Sequence, residues 1–113
     1  MATVIDVVDT SFDPEVLKCD IPVLANFWTV WSGPSKKIKS YLEEIATEYE
    51  GQVKVVNVDI DDNPMFTSHY AVLTIPTLVL FKFAQPVERI TEITSKEMIL
   101  ERINPYLDAQ PSV

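Results

Sequence analysis

Cysteine and glycine are both scarce in this chain. The single cysteine of its 113 residues is Cys19, so a disulfide within the chain is excluded. A lone cysteine is most often a small apolar residue, although an exposed thiol can form mixed disulfides. The only glycines are Gly33 and Gly51, so most turns must be built from other residues.

Basic residues and long apolar runs are also lacking. Nine Lys and Arg stand against 17 Asp and Glu, a net charge of −8, which disfavours a nucleic-acid partner. No apolar run approaches the roughly 20 residues of a membrane span, and we expect no membrane association. Asp6 and Asp9 stand where a signal peptide has basic and then apolar residues, so we expect a cytoplasmic protein. The length and the 47% hydrophobic content predict one globular domain over residues 1–113, expected to be monomeric.

Apolar periodicity predicts alternating strands and helices. Runs of apolar and β-branched residues predict strands at 3–8, 23–28, 53–59, 77–83 and 87–93. Helices are predicted from Asp13-Pro14-Glu15 to about residue 20, over 35–49 until Gly51, from Asn63-Pro64 towards residue 69, and after Ser95 as the cap. The order β-α-β-α-β-α-β-β-α predicts an α/β fold with a mixed sheet.

The hexapeptide Trp31-Ser32-Gly33-Pro34-Ser35-Lys36 is the most informative motif. Further motifs are Phe27-Trp28, Val58-Asp59-x-Asp61 before Asn63-Pro64, and Ile75-Pro76-Thr77. With these motifs the chain resembles the thioredoxin family over essentially its whole length. The family pattern is W-C-G-P-C-K, and four of its six positions match.

This resemblance implies a thioredoxin fold, with a central mixed sheet flanked by helices and a cis bond before Pro76. It also implies a surface on which a partner protein docks, with an extended partner segment pairing beside the cis proline. By the same resemblance, the binding residues are Trp31, Gly33, Pro34, Thr74, Ile75 and Pro76.

The departures from the family concern its redox chemistry. Ser32 and Ser35 stand in place of the nucleophilic and resolving cysteines, and serine cannot exchange disulfides. Asn26 replaces a buried aspartate that helps to move the proton of the second thiol. Phe83-Ala84 replaces a glycine turn. We therefore expect no active catalytic residue and no cofactor.

Hydrolytic and metal-dependent alternatives have little support. A nucleophilic serine needs a neighbouring base, and the only histidine, His69, falls in another predicted helix. The hydroxyls of Ser32 and Ser35 are better explained as caps of the long helix. Asp59-x-Asp61-x-Asn63 matches half of a calcium loop, but Pro64 occupies the required glycine position, so no metal site is expected.

Two interpretations of the serine loop remain open. The first is a redox-inactive protein that acts by binding protein partners, which the changes at Asn26 and Phe83-Ala84 favour. The alternative is a thioredoxin, a protein disulfide oxidoreductase, whose two active-site cysteines were changed to Ser32 and Ser35. Retention of the other loop residues favours the alternative. A chaperone-like variant of the first interpretation differs only in having many partners.

Overall fold

The computed structural model describes residues 4–29 and 33–107, with only the backbone of residues 33–36, and within these residues it contains one five-stranded sheet. Its strands are β1 (Ile5–Val7), β2 (Val23–Trp28), β3 (Lys54–Asp59), β4 (Thr77–Lys82) and β5 (Gln85–Ile90). The strand order is β1-β3-β2-β4-β5, in which β3 is parallel to β1 and β2, and β4 is antiparallel to β2 and β5. The predicted mixed sheet is confirmed.

Helices connect and flank these strands. They are α1 (Asp9–Phe12), which continues as a wide π turn over Asp13–Leu17, α2 (Gly33–Glu48), α3 (Pro64–His69) and α4 (Lys96–Ile103), followed by a 3-10 turn at Asn104–Tyr106. Among the described residues, no helix has both the length and the apolar character needed to span a bilayer.

The predicted start of the first helix at Asp13 is wrong, because α1 begins at Asp9. Ser11 stabilises this earlier start, since its Oγ accepts a hydrogen bond from the Val8 N–H at 3.0 Å. Pro14 then lies within the π turn, where the Lys18 N–H donates to the Asp13 carbonyl at 3.0 Å. Proline has no N–H and its ring crowds the carbonyl four residues earlier, so a wider turn accommodates it.

The predicted bounds of the last strand are also wrong, because β5 spans Gln85–Ile90 instead of 87–93. Phe83 and Ala84 form a two-residue turn, and Lys82 pairs directly with Gln85. Both turn residues have positive φ, +53° and +67°. This is the conformation of a type I′ hairpin, which strongly favours Asn and Gly.

The caps of the other helices agree in part with the sequence. Ser95 caps α4, since its Oγ accepts from the Met98 N–H at 3.1 Å. Gly51, just after α2, has a φ of +87°. Asn63 precedes α3, but its side chain does not cap that helix. The carboxylate of Asp9 does so instead, accepting from the N–H groups of Met65 and Phe66 at 3.2 and 3.4 Å.

Apolar side chains are buried on both faces of the sheet because successive strand residues point to opposite sides. On one face, Leu24, Val55 and Leu78 pack with residues of α2 and α4, including Leu42, Ile45, Ile99 and Ile103. On the other face, Ala25, Phe27, Val56, Val79 and Phe81 pack with Phe12, Val16 and Val72. Each central strand therefore contributes to both core clusters.

An ion pair ties α4 to β5. Arg102 Nε donates to Glu88 Oε2 at 2.7 Å, and this hydrogen bond holds the pKa of Glu88 below its usual value. A lowered folded-state pKa contributes stability above the unfolded pKa, and this contribution is lost as the pH falls through the folded pKa.

We therefore expect Glu88→Gln to lose less stability on acidification than the unchanged chain. The comparison is the urea midpoint at pH 6 and pH 3, on either side of the ordinary glutamate pKa of about 4.3. Glu101→Gln, which changes an exposed carboxylate of α4, is the control. Equal losses in Glu88→Gln and the unchanged chain would contradict the expectation.

Candidate functional site

The carboxyl end of β2 lies between two strands that carry the other predicted motifs. Phe27 pairs with Val58 of β3 on one side and with Thr77 of β4 on the other. Trp28 pairs with Asp59 of β3. The Trp31 motif follows β2 in the sequence, and Pro76 immediately precedes β4. The register thus brings the Asp59 motif and the Ile75-Pro76 motif to the two sides of this strand end.

Two buried asparagines lie next to each other across β2 and β3. Asn26 pairs in register with Asn57, and their side chains are 1% and 4% exposed. Asn26 Nδ2 donates to Asn57 Oδ1 at 3.1 Å, and Asn57 Nδ2 donates to Asp6 Oδ1 of β1 at 3.4 Å. Asn26 Oδ1 has no hydrogen-bond partner among the described residues. Asn26, Asn57 and Asp6 thus form a polar row across three strands, on the sheet face covered by α2.

This row places neutral amides where the resemblance implies a buried carboxylic acid. An amide neither accepts nor releases a proton in the pH range in which a carboxylate does. It also avoids the desolvation cost that a buried carboxylate would incur. Asn57 was not among the predicted site residues. The available signal was an asparagine that interrupts the apolar run of β3, as Asn26 interrupts that of β2.

The turn after β3 is joined to the end of β2 by several hydrogen bonds. The Ile60 N–H donates to the Trp28 carbonyl at 3.0 Å, and Thr29 Oγ1 donates to Asp61 Oδ2 at 3.0 Å. Within the turn, Asp59 Oδ1 accepts from the Asp61 N–H at 2.9 Å, and Asn63 Nδ2 donates to the Asp59 carbonyl at 2.8 Å. These polar residues therefore fix the turn at the end of β2.

The segment before β4 presents apolar groups at the same edge of the sheet. The Ile75–Pro76 bond is cis, Ile75 is half-buried, and Pro76 is buried. Thr74 is exposed, and its carbonyl accepts from Thr77 Oγ1 at 2.6 Å. Leu73 is 90% exposed, the highest value among the exposed large apolar side chains of the described residues. Sequence reasoning missed Leu73, because an apolar residue between Val72 and Thr74 gives no sign of its orientation.

Several predicted site residues cannot be placed in this geometry. Trp31 and Ser32 lie outside the described residues. Gly33, Pro34 and Ser35 belong to the first turn of α2 by their backbone, and the side chains of Pro34 and Ser35 lie outside the described part of the structure. The capping role expected for Ser32 and Ser35 therefore stays a prediction.

His69 and Cys19, the residues considered for hydrolysis and for thiol chemistry, lie in other elements of the fold. His69 is in α3, where its ring contacts that of Tyr70 at a centroid distance of 4.7 Å. Cys19 is half-buried and packs against the core cluster on the α1 face. Within the described ranges, no three or more His, Cys, Asp and Glu side chains are grouped as metal ligands would be.

Comparison with known proteins gives a consistent result. The thioredoxin family model matches residues 3–105. The chain is 38% identical to thioredoxin 1 of Nostoc sp. over 107 residues, covering 95% of this chain and all of the relative. It is 40% identical to thioredoxin of Rickettsia felis over 99 residues, covering 88% and 94% of the two chains. It is 43% identical to thioredoxin of Mycobacterium bovis over 100 residues, covering 88% and 86%. The sheet topology and these similarities together show that the chain belongs to the thioredoxin family.

Proposed function

We propose that this chain is a redox-inactive thioredoxin-like protein that acts by binding protein partners. The binding surface is the segment Leu73-Thr74-Ile75-Pro76 together with Trp31, Gly33 and Pro34 of the serine loop. Ser32 and Ser35 have no thiol, so they cannot attack or resolve a disulfide. What remains of the family function in this proposal is the docking of a partner.

The buried amide pair of Asn26 and Asn57 carries the proposal. A chain altered only at its two active-site cysteines would be expected to keep the buried acid that serves the thiols. Here an amide stands at that position, and it is hydrogen-bonded at 3.1 Å to a second buried amide. Two matched neutral residues indicate a polar core adapted to the absence of proton transfer, because neither side chain titrates near neutral pH.

The exposure of Leu73 supports binding as the remaining role. A large apolar side chain that is 90% exposed beside the half-buried Ile75 can bury apolar area only against another molecule. In this proposal the adjoining backbone before β4 holds an extended peptide by strand-like pairing, a common mode of peptide recognition. The surface therefore offers an apolar anchor next to backbone hydrogen-bonding groups.

We expect Leu73→Asp to weaken partner binding at least about tenfold, because a carboxylate would replace an apolar anchor in the interface. Proteins retained by the immobilised chain under reducing conditions are identified by quantitative mass spectrometry. Binding of each purified candidate is then measured by calorimetry. The reductant removes any mixed disulfide with Cys19.

The matched control is Phe83→Asp, which makes the same change at a side chain that is 75% exposed. Phe83 follows the far end of β4, about 20 Å from Thr77 at the strand rise of ~3.4 Å per residue. Equal affinity of the unchanged chain and Leu73→Asp for every purified candidate would contradict docking at this surface.

The remaining expectations stay predictions. These are the cytoplasmic location, the single domain and the monomeric state. Gel filtration combined with light scattering measures the oligomeric state.

A further inference from the structure

A cavity opens next to the end of β2, mainly on the sheet face covered by α2. Its volume is about 200 Å³, and its wall includes Asp6, Trp28, Asn57, Asp59, Asp62 and Asn63. Strand register explains this grouping: Asp6 pairs with Asn57, Trp28 pairs with Asp59, and these side chains point to the same face. The turn after β3 adds Asp62 and Asn63.

The lining combines apolar side chains, including Val7 and Val8, with hydrogen-bond acceptors and negative charge. Asp6, Asp59 and Asp62 contribute three carboxylates, and none of the lining residues is basic. Among the described residues, no lysine or arginine forms a salt bridge with these three carboxylates. The cavity is therefore complementary to a positive group.

Asn63 provides an independent observation. It is 1% exposed and forms part of the cavity wall. Its Nδ2 donates to the Asp59 carbonyl, whereas its Oδ1 has no hydrogen-bond partner among the described residues. Buried polar atoms are rarely left without a partner, so this oxygen remains able to accept a hydrogen bond from a bound donor.

Trp28 indicates which chemical group could supply a hydrogen-bond donor in this cavity. Its indole lines the cavity, and Lys39 Nζ already lies 5.6 Å from the ring centroid. A guanidinium group stacks on an aromatic ring and presents several N–H donors in one plane, which an ammonium group does not. Carboxylates beside an indole therefore favour arginine over lysine.

We propose that this cavity binds the guanidinium group of an arginine side chain on a partner protein. The inference rests on the proposed function for the source of the arginine. The strand order puts the cavity within reach of a docked segment: Asp59 and Thr77 flank β2 on its two sides, roughly 10 Å apart at a strand spacing of ~4.8 Å. About three extended residues span that distance.

The cavity is tested without any protein partner, by titrating the ¹⁵N-labelled chain with N-acetyl-arginine amide and following amide shifts. We expect saturable shifts confined to residues 6–8, 28 and 57–63, and none with N-acetyl-citrulline amide, which has a similar shape and no charge. Asp6→Asn combined with Asp62→Asn should weaken binding at least about fivefold. Asp20→Asn, which changes an exposed carboxylate outside the cavity lining, is the control and should leave binding of the arginine probe unchanged.

Equal shifts with the citrulline probe, shifts spread over the acidic surface, or affinity unchanged in the double variant would each overturn the proposal. A double-variant spectrum that matches the unchanged chain outside the cavity verifies its fold. Failure of the docking surface is seen separately in the partner affinities of Leu73→Asp. Binding of the arginine probe does not depend on that surface.

Discussion

Restoring both cysteines, by Ser32→Cys and Ser35→Cys, is expected to yield only weak disulfide reductase activity, while the unchanged chain shows none. The unchanged chain lacks the thiolate that attacks a disulfide. The restored chain gains both thiols, yet Asn26 of β2 and Asn57 of β3 remain buried and provide no group to accept a proton. Reduction of insulin disulfides by dithiothreitol, followed as turbidity, measures the activity.

Adding Asn26→Asp to the restored chain is expected to raise the rate roughly 100-fold, the lower end of what a positioned general base contributes. Asn104→Asp in the same background is the control, because it adds a carboxylate at an exposed position after α4.

Burial should also raise the pKa of the carboxyl introduced by Asn26→Asp, so the folded state binds its proton more tightly than the unfolded state. The triple variant should therefore lose stability as the pH rises above ~4, which urea midpoints detect.

High activity of the doubly restored chain, without any change at Asn26, would contradict this expectation. It would support the alternative interpretation, in which the chain is a protein disulfide reductase whose two cysteines were changed to serine. Activity in the unchanged chain would contradict both interpretations, because neither serine can form a mixed disulfide.

Replacing the β4–β5 turn by Phe83→Asn and Ala84→Gly is expected to stabilise the protein by about 2 kcal/mol. Both residues have positive φ, +53° and +67°, and an L-residue other than Gly, Asn or Asp pays roughly 1–2 kcal/mol for that conformation. Asn and Gly are the residues that type I′ turns prefer. Little packing is lost, because Phe83 is 75% exposed.

Thermal unfolding measures this effect, and a gain of about 2 kcal/mol corresponds to a rise in Tm of roughly 10 °C for a chain of this size. Phe83→Ala is the matched control. It removes the ring, including its contact with Lys82 Nζ at 5.8 Å, but leaves at positive φ a residue that disfavours this conformation. An equal gain in this control would assign the effect to loss of the exposed ring. An unchanged Tm in the Asn-Gly variant would contradict the backbone explanation.

The order of strands and helices follows from local patterns. Runs such as Val23–Trp28 and Thr77–Lys82 are apolar on both faces, as expected for central strands covered by helices on each side. Ser95 and Gly51 act where a cap and a helix end are expected, because both signals depend on a few neighbouring residues. The sequence placed the start of α1 too late, because Pro14 is a strong signal for a helix start. The hydrogen bond between Ser11 and Val8 that stabilises the earlier start has a weaker sequence signal.

The candidate site was predicted in part. The Ile75-Pro76 segment was identified through the family resemblance. The contribution of Asn57 depends on its register with Asn26, a residue 31 positions away, and no local pattern specifies that distance. The exposure of Leu73 likewise depends on which elements pack over it, so composition alone does not reveal it.

The sequence by itself determined that Ser32 and Ser35 carry no thiol, and disulfide exchange requires thiols. It also determined the order of elements, since strand and helix periodicities are local. Only the tertiary structure decided how distant residues meet: Asp9 caps α3 from 56 residues away, and the cavity carboxylates come from β1, β3 and the following turn. The physical reason is that burial and hydrogen bonding between remote segments depend on strand order and register, which form only when the whole core packs.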